Sequence, residues 1–301
     1  MKKIAVVGSI NMDLVVETSK LPEKGETILG DNFFSGPGGK GANQAVAISR
    51  LGGDVTFFGC VGEDYFGTEL EEYLMLENVE SRIRKDPDLS TGVALVNLFE
   101  NDNNIIVVSG ANGYYSEDYF EKLVNELLNY DIILFQLEIN EELVFRLIEK
   151  LAEYKKQIIL NPAPACKIET SLVEKITYLT PNEHECQIVF DSKKPIEKIV
   201  KEYPEKLIVT HGDKGAFYST EDKVINVSPI NITDIIDTTG AGDTFSGAFA
   251  YSVSIGMPIK KSVEFANTAA GLSIRKKGAQ AGMPTLKEVK DRLMVLNKEG
   301  D

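Results

Sequence analysis

Short apolar runs alternate with amphipathic stretches through most of the 301-residue chain. Stretches at helical spacing, such as residues 65–77 and 141–154, separate apolar runs at residues 4–7, 55–58, 132–135, 158–160 and 207–209. Strands that alternate with helices form βαβ units, which place parallel strands in one sheet with helices packed on it. The sequence therefore predicts an α/β fold: a central, mostly parallel sheet with helices on both faces.

Two segments show strand patterns without a helical pattern between them. Residues 14–35 have a strand-turn-strand composition, and residues 93–96 and 105–108 form a similar pair around a turn at 101–104. Isolated hairpins are only marginally stable, so we expect both to join in one small β-sheet lid over the site. The predicted lid comprises residues 13–35 and 91–110, and the main domain comprises residues 1–12, 36–90 and 111–301. The outer face of such a lid would stay apolar unless a second lid packed on it, which suggests a homodimer.

A glycine-rich turn at residues 240–242 precedes a predicted helix. Ile230 and Ile232 alternate with polar residues, which predicts a strand before the turn, whereas Phe245 and Phe249 lie at helical spacing after it. Glycines allow a sharp bend and close approach of a ligand, and the N–H groups at a helix start attract anions. The segment therefore predicts an anion hole.

Asp243 lies in the first turn of this predicted helix, beside the anion hole. A carboxylate within reach of a hydroxyl can take its proton as the oxygen attacks phosphorus, an effect worth about 10²–10⁴ in rate. In the alternative interpretation, Asp243 only complements the helix dipole and the glycines only form a tight turn.

A second glycine-rich stretch, residues 36–44, leads into a helix that ends near Gly52. It is not a Walker loop, because Gly41 rather than Ser or Thr follows Lys40. Glycines would let a polyhydroxyl ligand touch the backbone, Lys40 would donate to hydroxyl oxygens, and Asn43 would both donate and accept. A helix start without a ligand is the alternative.

Asn11 and Asp13 follow the first predicted strand, at the sheet edge where open α/β folds bind ligands. Side chains two residues apart in an extended segment point the same way, so these two could hold adjacent sugar hydroxyls. Ordinary turn formation by Asn and Asp is the alternative.

Charge and composition exclude several classes of protein. The formal net charge of −14 and a pI near 4.8 argue against nucleic-acid binding. Three cysteines and two histidines without metal-ligand spacing indicate neither a disulfide framework nor a zinc site. The N-terminal apolar run is too short for a signal peptide, and no run approaches the ~20 residues that span a bilayer. We therefore expect a cytoplasmic protein with no membrane partner.

Both glycine-rich segments match family signatures. The pattern Asp-Thr-x-Gly-Ala-Gly-Asp-x-Phe at residues 237–245 resembles the C-terminal signature of the PfkB carbohydrate kinases, the ribokinase-like family. Gly-Gly-Lys-Gly-Ala-Asn-Gln at residues 38–44 resembles the N-terminal signature, and the resemblance extends from Gly8 to Gln280. It implies a ribokinase-like fold, with Asp243 as catalytic base and a transferring phosphate held by Gly240, Ala241 and Gly242.

The resemblance also implies binding roles for other residues. On the sugar side these are Asn11, Asp13, Gly39, Lys40, Asn43, Glu138 and Asp243. On the nucleotide side they are Asn182, Thr210, Gly212, Gly215, Gly242 and Asn267.

Two metal sites follow from the same resemblance. Glu185 would hold Mg²⁺ through water, since Asn182 and Glu185 match an Asn-x-x-Glu motif, although the same spacing also fits a capping box. A potassium ion would lie among Asp237, Thr239, Ser273, Lys276 and Gly278. Gly282 departs from the side-chain oxygen often found in the family at that position.

The implied activity is ATP-dependent phosphorylation of D-ribose at O5, with ATP as co-substrate. Another acceptor, such as 2-deoxyribose, a nucleoside or fructose, would need only a few changed lid contacts and stays open. A non-catalytic sugar-sensing protein is a more distant alternative, because a pure binder needs neither Asp243 nor Glu185.

Overall fold

The computed structural model describes residues 1–99 and 102–299, so the predicted turn at residues 101–104 lies partly outside the described residues. The strands are β1 (Ile4–Val7), β2 (Asn11–Glu17), β3 (Asn32–Gly38), β4 (Val55–Gly62), β5 (Glu80–Asp86), β6 (Gly92–Phe99), β7 (Asp102–Val108), β8 (Ile132–Gln136), β9 (Gln157–Asn161), β10 (Tyr178–Leu179), β11 (Val209–Thr210), β12 (Ala216–Ser219) and β13 (Val224–Val227). The helices are α1 (Lys40–Arg50), α2 (Tyr65–Leu76), α3 (Glu117–Leu127), α4 (Glu141–Glu153), α5 (Thr170–Lys175), α6 (Glu183–Val189), α7 (Ile196–Lys201), α8 (Ala241–Ser254), α9 (Ile259–Ser273) and α10 (Leu286–Glu299).

The central sheet has six strands in the order β10-β9-β8-β1-β4-β5, and all neighbours pair in parallel. Successive side chains of a strand point to opposite faces, so Ile4 and Val6 pack in one core with α1, α8 and α9. Ala5 and Val7 pack in a second core with α3 and α4. Helices thus cover both faces, which confirms the predicted α/β architecture.

A separate four-stranded sheet, in the order β3-β2-β6-β7, forms from the two segments assigned to the lid. β2 pairs antiparallel with β3 and parallel with β6, so the two segments join through their first strands. Asp13 and Val15 on β2 point toward a cavity over the central sheet, and Leu14 points to the other face. The sheet therefore supplies one wall of that cavity.

A three-stranded antiparallel sheet, β11-β12-β13, continues the central sheet at its β10 edge. Parallel bridges join Leu179 to Leu207 and Asn182 to Thr210. No helix in the described ranges is both long enough and apolar enough to cross a membrane.

The strand predicted at Ile230 and Ile232 is wrong, because this segment is an irregular loop. The alternation does reflect burial, since both isoleucines are half-buried and the residues between and after them are exposed. Their side chains lie against Gly271 of α9, where a Cβ would come within 2.4 Å of Ile230 Cγ1. The isoleucines thus pack on a helix rather than pairing with another strand.

Candidate active site

The predicted sugar-side residues come together in one cavity of about 780 Å³, between the carboxyl ends of the central strands and the four-stranded sheet. Its lining includes all seven of them: Asn11, Asp13, Gly39, Lys40, Asn43, Glu138 and Asp243. Ligands bind at this end of open α/β sheets, because strands and helix starts direct their polar groups there. We call this space the sugar-side cavity.

Asp243 lies in the first turn of α8, directly after the glycine turn. Gly240 has φ of 77° and a Cβ there would lie 2.4 Å from the carbonyl oxygen of Ala279, so only glycine fits. The Asp243 carboxylate is buried, and its two oxygens accept from Asn43 Nδ2 at 2.8 Å and Gln44 Nε2 at 2.9 Å. Both glycine-rich segments of the sequence therefore meet at this carboxylate.

Close contact between α1 and α8 makes these hydrogen bonds possible. A Cβ on Gly247, one helical turn after Asp243, would lie 2.7 Å from the carbonyl oxygen of Gln44. A Cβ on Gly41 would likewise lie 2.7 Å from the backbone of Gly8. Glycine at these positions allows α1 to approach both α8 and the end of β1.

Glu138 caps the start of α1, a role that its sequence position did not reveal. Its carboxylate accepts from the backbone N–H of Lys40 at 3.0 Å and from the hydroxyl of Ser9. The preceding Gly39 is the N-cap residue and has no side chain to supply this acceptor. Glu138 thus stabilises the helix that presents Lys40 and Asn43 to the cavity.

The cavity concentrates negative charge around one lysine. Burial, and to a smaller extent the nearby charges of Glu138 and Asp243, raise the pKa of Asp13 to about 7. The charge of Asp243 raises the pKa of Lys40, outweighing the effect of burial, with smaller contributions from Glu138 and Glu185. Lys40 is therefore held as a cation against these carboxylates.

Asn112 was missed by the sequence analysis, because a single Asn before Gly suggests only a turn. It lies in a short 3₁₀ turn, Gly110–Gly113, and is buried. Its Nδ2 donates to Asn11 Oδ1 at 2.7 Å and to the carbonyl of Ile10 at 3.1 Å, while its Oδ1 accepts from the Ile10 N–H at 3.0 Å. Asn112 therefore holds the side chain of Asn11 in one orientation.

A second cavity of about 600 Å³ lies on the other side of the glycine turn. Its lining includes five of the predicted nucleotide-side residues, namely Thr210, Gly212, Gly215, Gly242 and Asn267, and is otherwise largely apolar. Asn267 also supports the cavity wall, since its Nδ2 donates to the carbonyl of Val227 at 2.8 Å. We call this space the nucleotide-side cavity.

The glycine turn separates the two cavities. Gly240 lines the sugar-side cavity, whereas Ala241 and Gly242 line the nucleotide-side cavity. In the turn, Ala241 N–H donates to the Thr238 carbonyl at 3.2 Å. The next amides belong to the first turn of α8, where N–H groups lack an acceptor within the helix.

Asn182 and Glu185 line neither cavity and form a capping box on α6. Asn182 Oδ1 accepts from the Glu185 N–H, and the Glu185 carboxylate accepts from the Asn182 N–H, both at 2.8 Å. Burial raises the pKa of Glu185, and Lys40 lowers it while Asp243 raises it. Asn182 and Glu185 therefore form the capping box that their spacing allowed. The Glu185 carboxylate also interacts electrostatically with Lys40 and Asp243.

Three of the five predicted potassium residues line the sugar-side cavity, in two loops: Asp237, Thr239 and Gly278. Asp237 accepts from the backbone N–H of Thr239 at 2.9 Å and of Gly278 at 2.8 Å. Burial raises the pKa of Asp237, but these hydrogen bonds outweigh it and leave the pKa below 3.8. The carboxylate therefore joins the two loops and stays charged.

Ser273 and Lys276 are placed differently from the other three. Ser273 is buried at the end of α9 and Lys276 is exposed. A Cβ on Gly282 would lie 1.8 Å from the Ser273 carbonyl oxygen, so no side chain fits at residue 282. Among the described residues, no three His, Cys, Asp or Glu side chains form a group that could hold a metal ion.

Comparison with known proteins extends the likeness over nearly the whole chain. The family model described as pfkB family carbohydrate kinase matches residues 1–286. The chain is 42% identical over 294 residues to a Bacillus subtilis protein named ribokinase, covering 97% of this chain and 100% of that one. A Lactococcus lactis protein with the same name is 39% identical over 302 residues, covering 98% of each.

Solved structures show the same likeness. The structure of Arabidopsis thaliana ribokinase complexed with ribose and ATP superposes with a TM-score of 0.86 at 33% identity, covering 97% of this chain and 98% of that one.

Proposed function

Since the chain belongs to the pfkB family of carbohydrate kinases, we propose that it transfers the terminal phosphoryl group of ATP to O5 of D-ribose, giving ribose 5-phosphate and ADP. One observation carries this proposal: the 240–242 glycine turn stands between two cavities, with the Asp243 carboxylate beside it. A phosphoryl group at the turn would be within reach of ligands from both sides. Relatives and a solved structure with ribose and ATP support the choice of substrates.

The sugar-side cavity suits a small polyhydroxyl ligand. Asp13 and Glu138 offer acceptors, Lys40 offers a donor, and Asn11 and Asn43 offer both. Gly39 would bring backbone atoms close to the sugar. Hydrogen bonds of both kinds on several sides favour a hydroxyl-rich molecule over an apolar one.

Asp243 would act as general base. As the O5–phosphorus bond forms and the bond from phosphorus to ADP breaks, the O5 proton passes to the Asp243 carboxylate and later to solvent. Asn43 and Gln44 hold the two oxygens from the protein side and leave further lone pairs for the hydroxyl. The glycine-turn amides would stabilise charge on the transferring group.

The residues also suit Mg²⁺ and K⁺. Magnesium would neutralise charge on the ATP phosphates. It prefers oxygen ligands and keeps several waters, so a single carboxylate, that of Glu185, would be enough to hold it through a water molecule. For potassium, Asp237 would supply a charged oxygen, and the carbonyls of Thr239, Ser273, Lys276 and Gly278 would supply neutral ones. Gly282 adds no ligand, because no side chain fits beside the Ser273 carbonyl.

The four-stranded sheet would serve as the lid domain and as a dimer interface. Its inner face lines the sugar-side cavity, so closing it over the sugar would exclude water. On the outer face, Leu14, Leu95 and Ile106 lie side by side across three strands. Phe33 is 66% exposed and Ile106 58%, which favours coverage by the lid of a second copy.

A coupled assay of ADP release with ATP and Mg²⁺ tests the proposed function. We expect the highest kcat/KM with D-ribose among ribose, 2-deoxyribose, fructose and nucleosides. Preference for another acceptor would keep the kinase chemistry and overturn the substrate. Ribose binding by calorimetry without turnover of any acceptor would instead indicate a sugar-sensing protein.

A further inference from the structure

Behind Asp243 lies a chain of buried amides that does not line either cavity. Gln44 Nε2 donates to Asp243 Oδ1 at 2.9 Å and to Asn161 Oδ1 at 3.1 Å. Gln136 Nε2 donates to Gln44 Oε1 at 2.6 Å. Gln44 and Gln136 have no exposed surface, and Asn161 is buried.

Hydrogen bonds orient the amides of Asn161 and Gln44. Asn161 Nδ2 donates to the Thr180 carbonyl at 2.9 Å, so its Oδ1 faces Gln44. Gln136 donates to the oxygen of Gln44, so the nitrogen of Gln44 must face Asp243. Both N–H groups of Gln44 are thereby used, one on Asp243 and one on Asn161.

Gln136 is packed tightly at the carboxyl ends of the central strands. A Cβ on Gly8 would lie 1.9 Å from Gln136 Oε1, so the amide is packed directly against the backbone at the end of β1. Gln136 is itself the last residue of β8. The amide chain is therefore anchored on the two central strands of the sheet.

We propose that Gln44 is a positioning residue that holds the Asp243 carboxylate in its productive orientation. Asn43, on the other oxygen, lines the sugar-side cavity and would contact the ligand, whereas Gln44 contacts only protein. A hydrogen bond to one oxygen fixes the rotation of a carboxylate, and a general base must be oriented toward the proton that it takes. The inference rests on the proposed kinase activity.

Substitution of Gln44 by Leu, which keeps much of the buried volume but removes the donor, tests the proposal. We expect kcat with ribose to fall about tenfold to hundredfold, as for a small misplacement of a reacting group. The KM values for ribose and ATP should stay within about threefold, because neither ligand would contact Gln44. A substitution Gln187→Leu on the exposed face of α6 is the matched control.

The split between kcat and KM separates positioning from a loss of packing. Loss of the Gln44 donor should lower kcat and leave both KM values nearly unchanged, because only the reacting carboxylate is misplaced. Packing damage alone would raise the KM values as well and lower the midpoint of urea unfolding.

A second variant, Gln136→Leu, frees Gln44 to rotate without touching Asp243. We expect kcat to fall about threefold to tenfold, with the KM values for ribose and ATP again within about threefold. This variant decides the question if Gln44→Leu does not fold. Unchanged kcat in a folded variant, or raised KM values in place of a lowered kcat, would overturn the proposal, whereas a wild-type protein without turnover would overturn the proposed function.

Discussion

Asn43 Nδ2 donates to Asp243 Oδ2 at 2.8 Å, joining two residues that are 200 positions apart in the chain. The orientation of Asn43 is set by Gln280, whose Nε2 donates to Asn43 Oδ1 at 2.7 Å. The amide nitrogen of Asn43 must therefore face the carboxylate. A candidate sugar-binding side chain and the candidate base thus form one unit.

Substitution of Asp243 by Asn should remove the proton acceptor while keeping the volume of the side chain. We expect kcat to fall about 10²–10⁴-fold and ribose affinity by calorimetry to stay within a few-fold. Asp222→Asn, at an exposed turn between β12 and β13, is the control. Turnover of the Asp243 variant close to wild type would remove this residue from the chemical step.

Asp13 should make stability depend on pH. The folded protein holds the proton of Asp13 up to about pH 7, because burial and then the charges of Glu138 and Asp243 raise its pKa from 3.8. The unfolded chain releases that proton near its ordinary pKa, so Asp13 lowers the free energy of unfolding progressively as pH rises from about 4 to 7.

Substitution of Asp13 by Asn removes this penalty. We measure the free energy of unfolding with urea in the absence of ligands. The increase caused by Asp13→Asn should be larger at about pH 8 than at about pH 5, by about 2–3 kcal/mol. The same Asp222→Asn control should show no such dependence. An equal effect at both pH values would contradict the raised pKa.

Substitution of Asn112 by Leu should release Asn11 from its fixed orientation. We expect the KM for the sugar to rise about tenfold, which corresponds to the loss of one or two hydrogen bonds. The kcat and the KM for ATP should stay within about threefold. Asn129→Leu, at an exposed helix end, is the control. A rise in the KM for ATP equal to that for the sugar would indicate a general loss of structure instead.

Potassium should raise activity through Asp237. We expect wild-type kcat/KM to be higher in KCl than in an equal concentration of tetramethylammonium chloride, and Asp237→Asn to lose most of this difference. Asp234→Asn, three residues earlier and exposed, should keep it. Equal activity of the wild-type protein in both salts would show that the loops around Asp237 and Gly278 do not form a cation site.

The outer face of the four-stranded sheet should hold two copies together. Substitution of Ile106 by Glu places a charge within the apolar row of Leu14, Leu95 and Ile106, and sedimentation should show the wild type as a dimer and the variant as a monomer. Met75→Glu, at an exposed apolar position on α2, should leave the dimer intact. A monomeric wild type would refute the proposed interface.

Most of the fold could be predicted, because the patterns that mark its elements are local. Apolar runs marked strands such as β1, β4, β8 and β9, helical spacing marked α2 and α4, and Gly240 and Gly242 marked the start of α8. The failure at Ile230 and Ile232 has a physical cause: alternation of apolar residues reports which side is buried, and it cannot tell a partner strand from the helix surface at Gly271.

The sequence alone determined the α/β architecture and the place of Asp243 at a helix start, since both depend on residues that are near neighbours in the chain. Only the tertiary structure decided what surrounds that carboxylate. Gln44 reaches Asp243 because Gly247 lets two helices touch, and Asn112 reaches Asn11 across 101 positions. Such contacts depend on how distant elements pack, and no local periodicity encodes that packing.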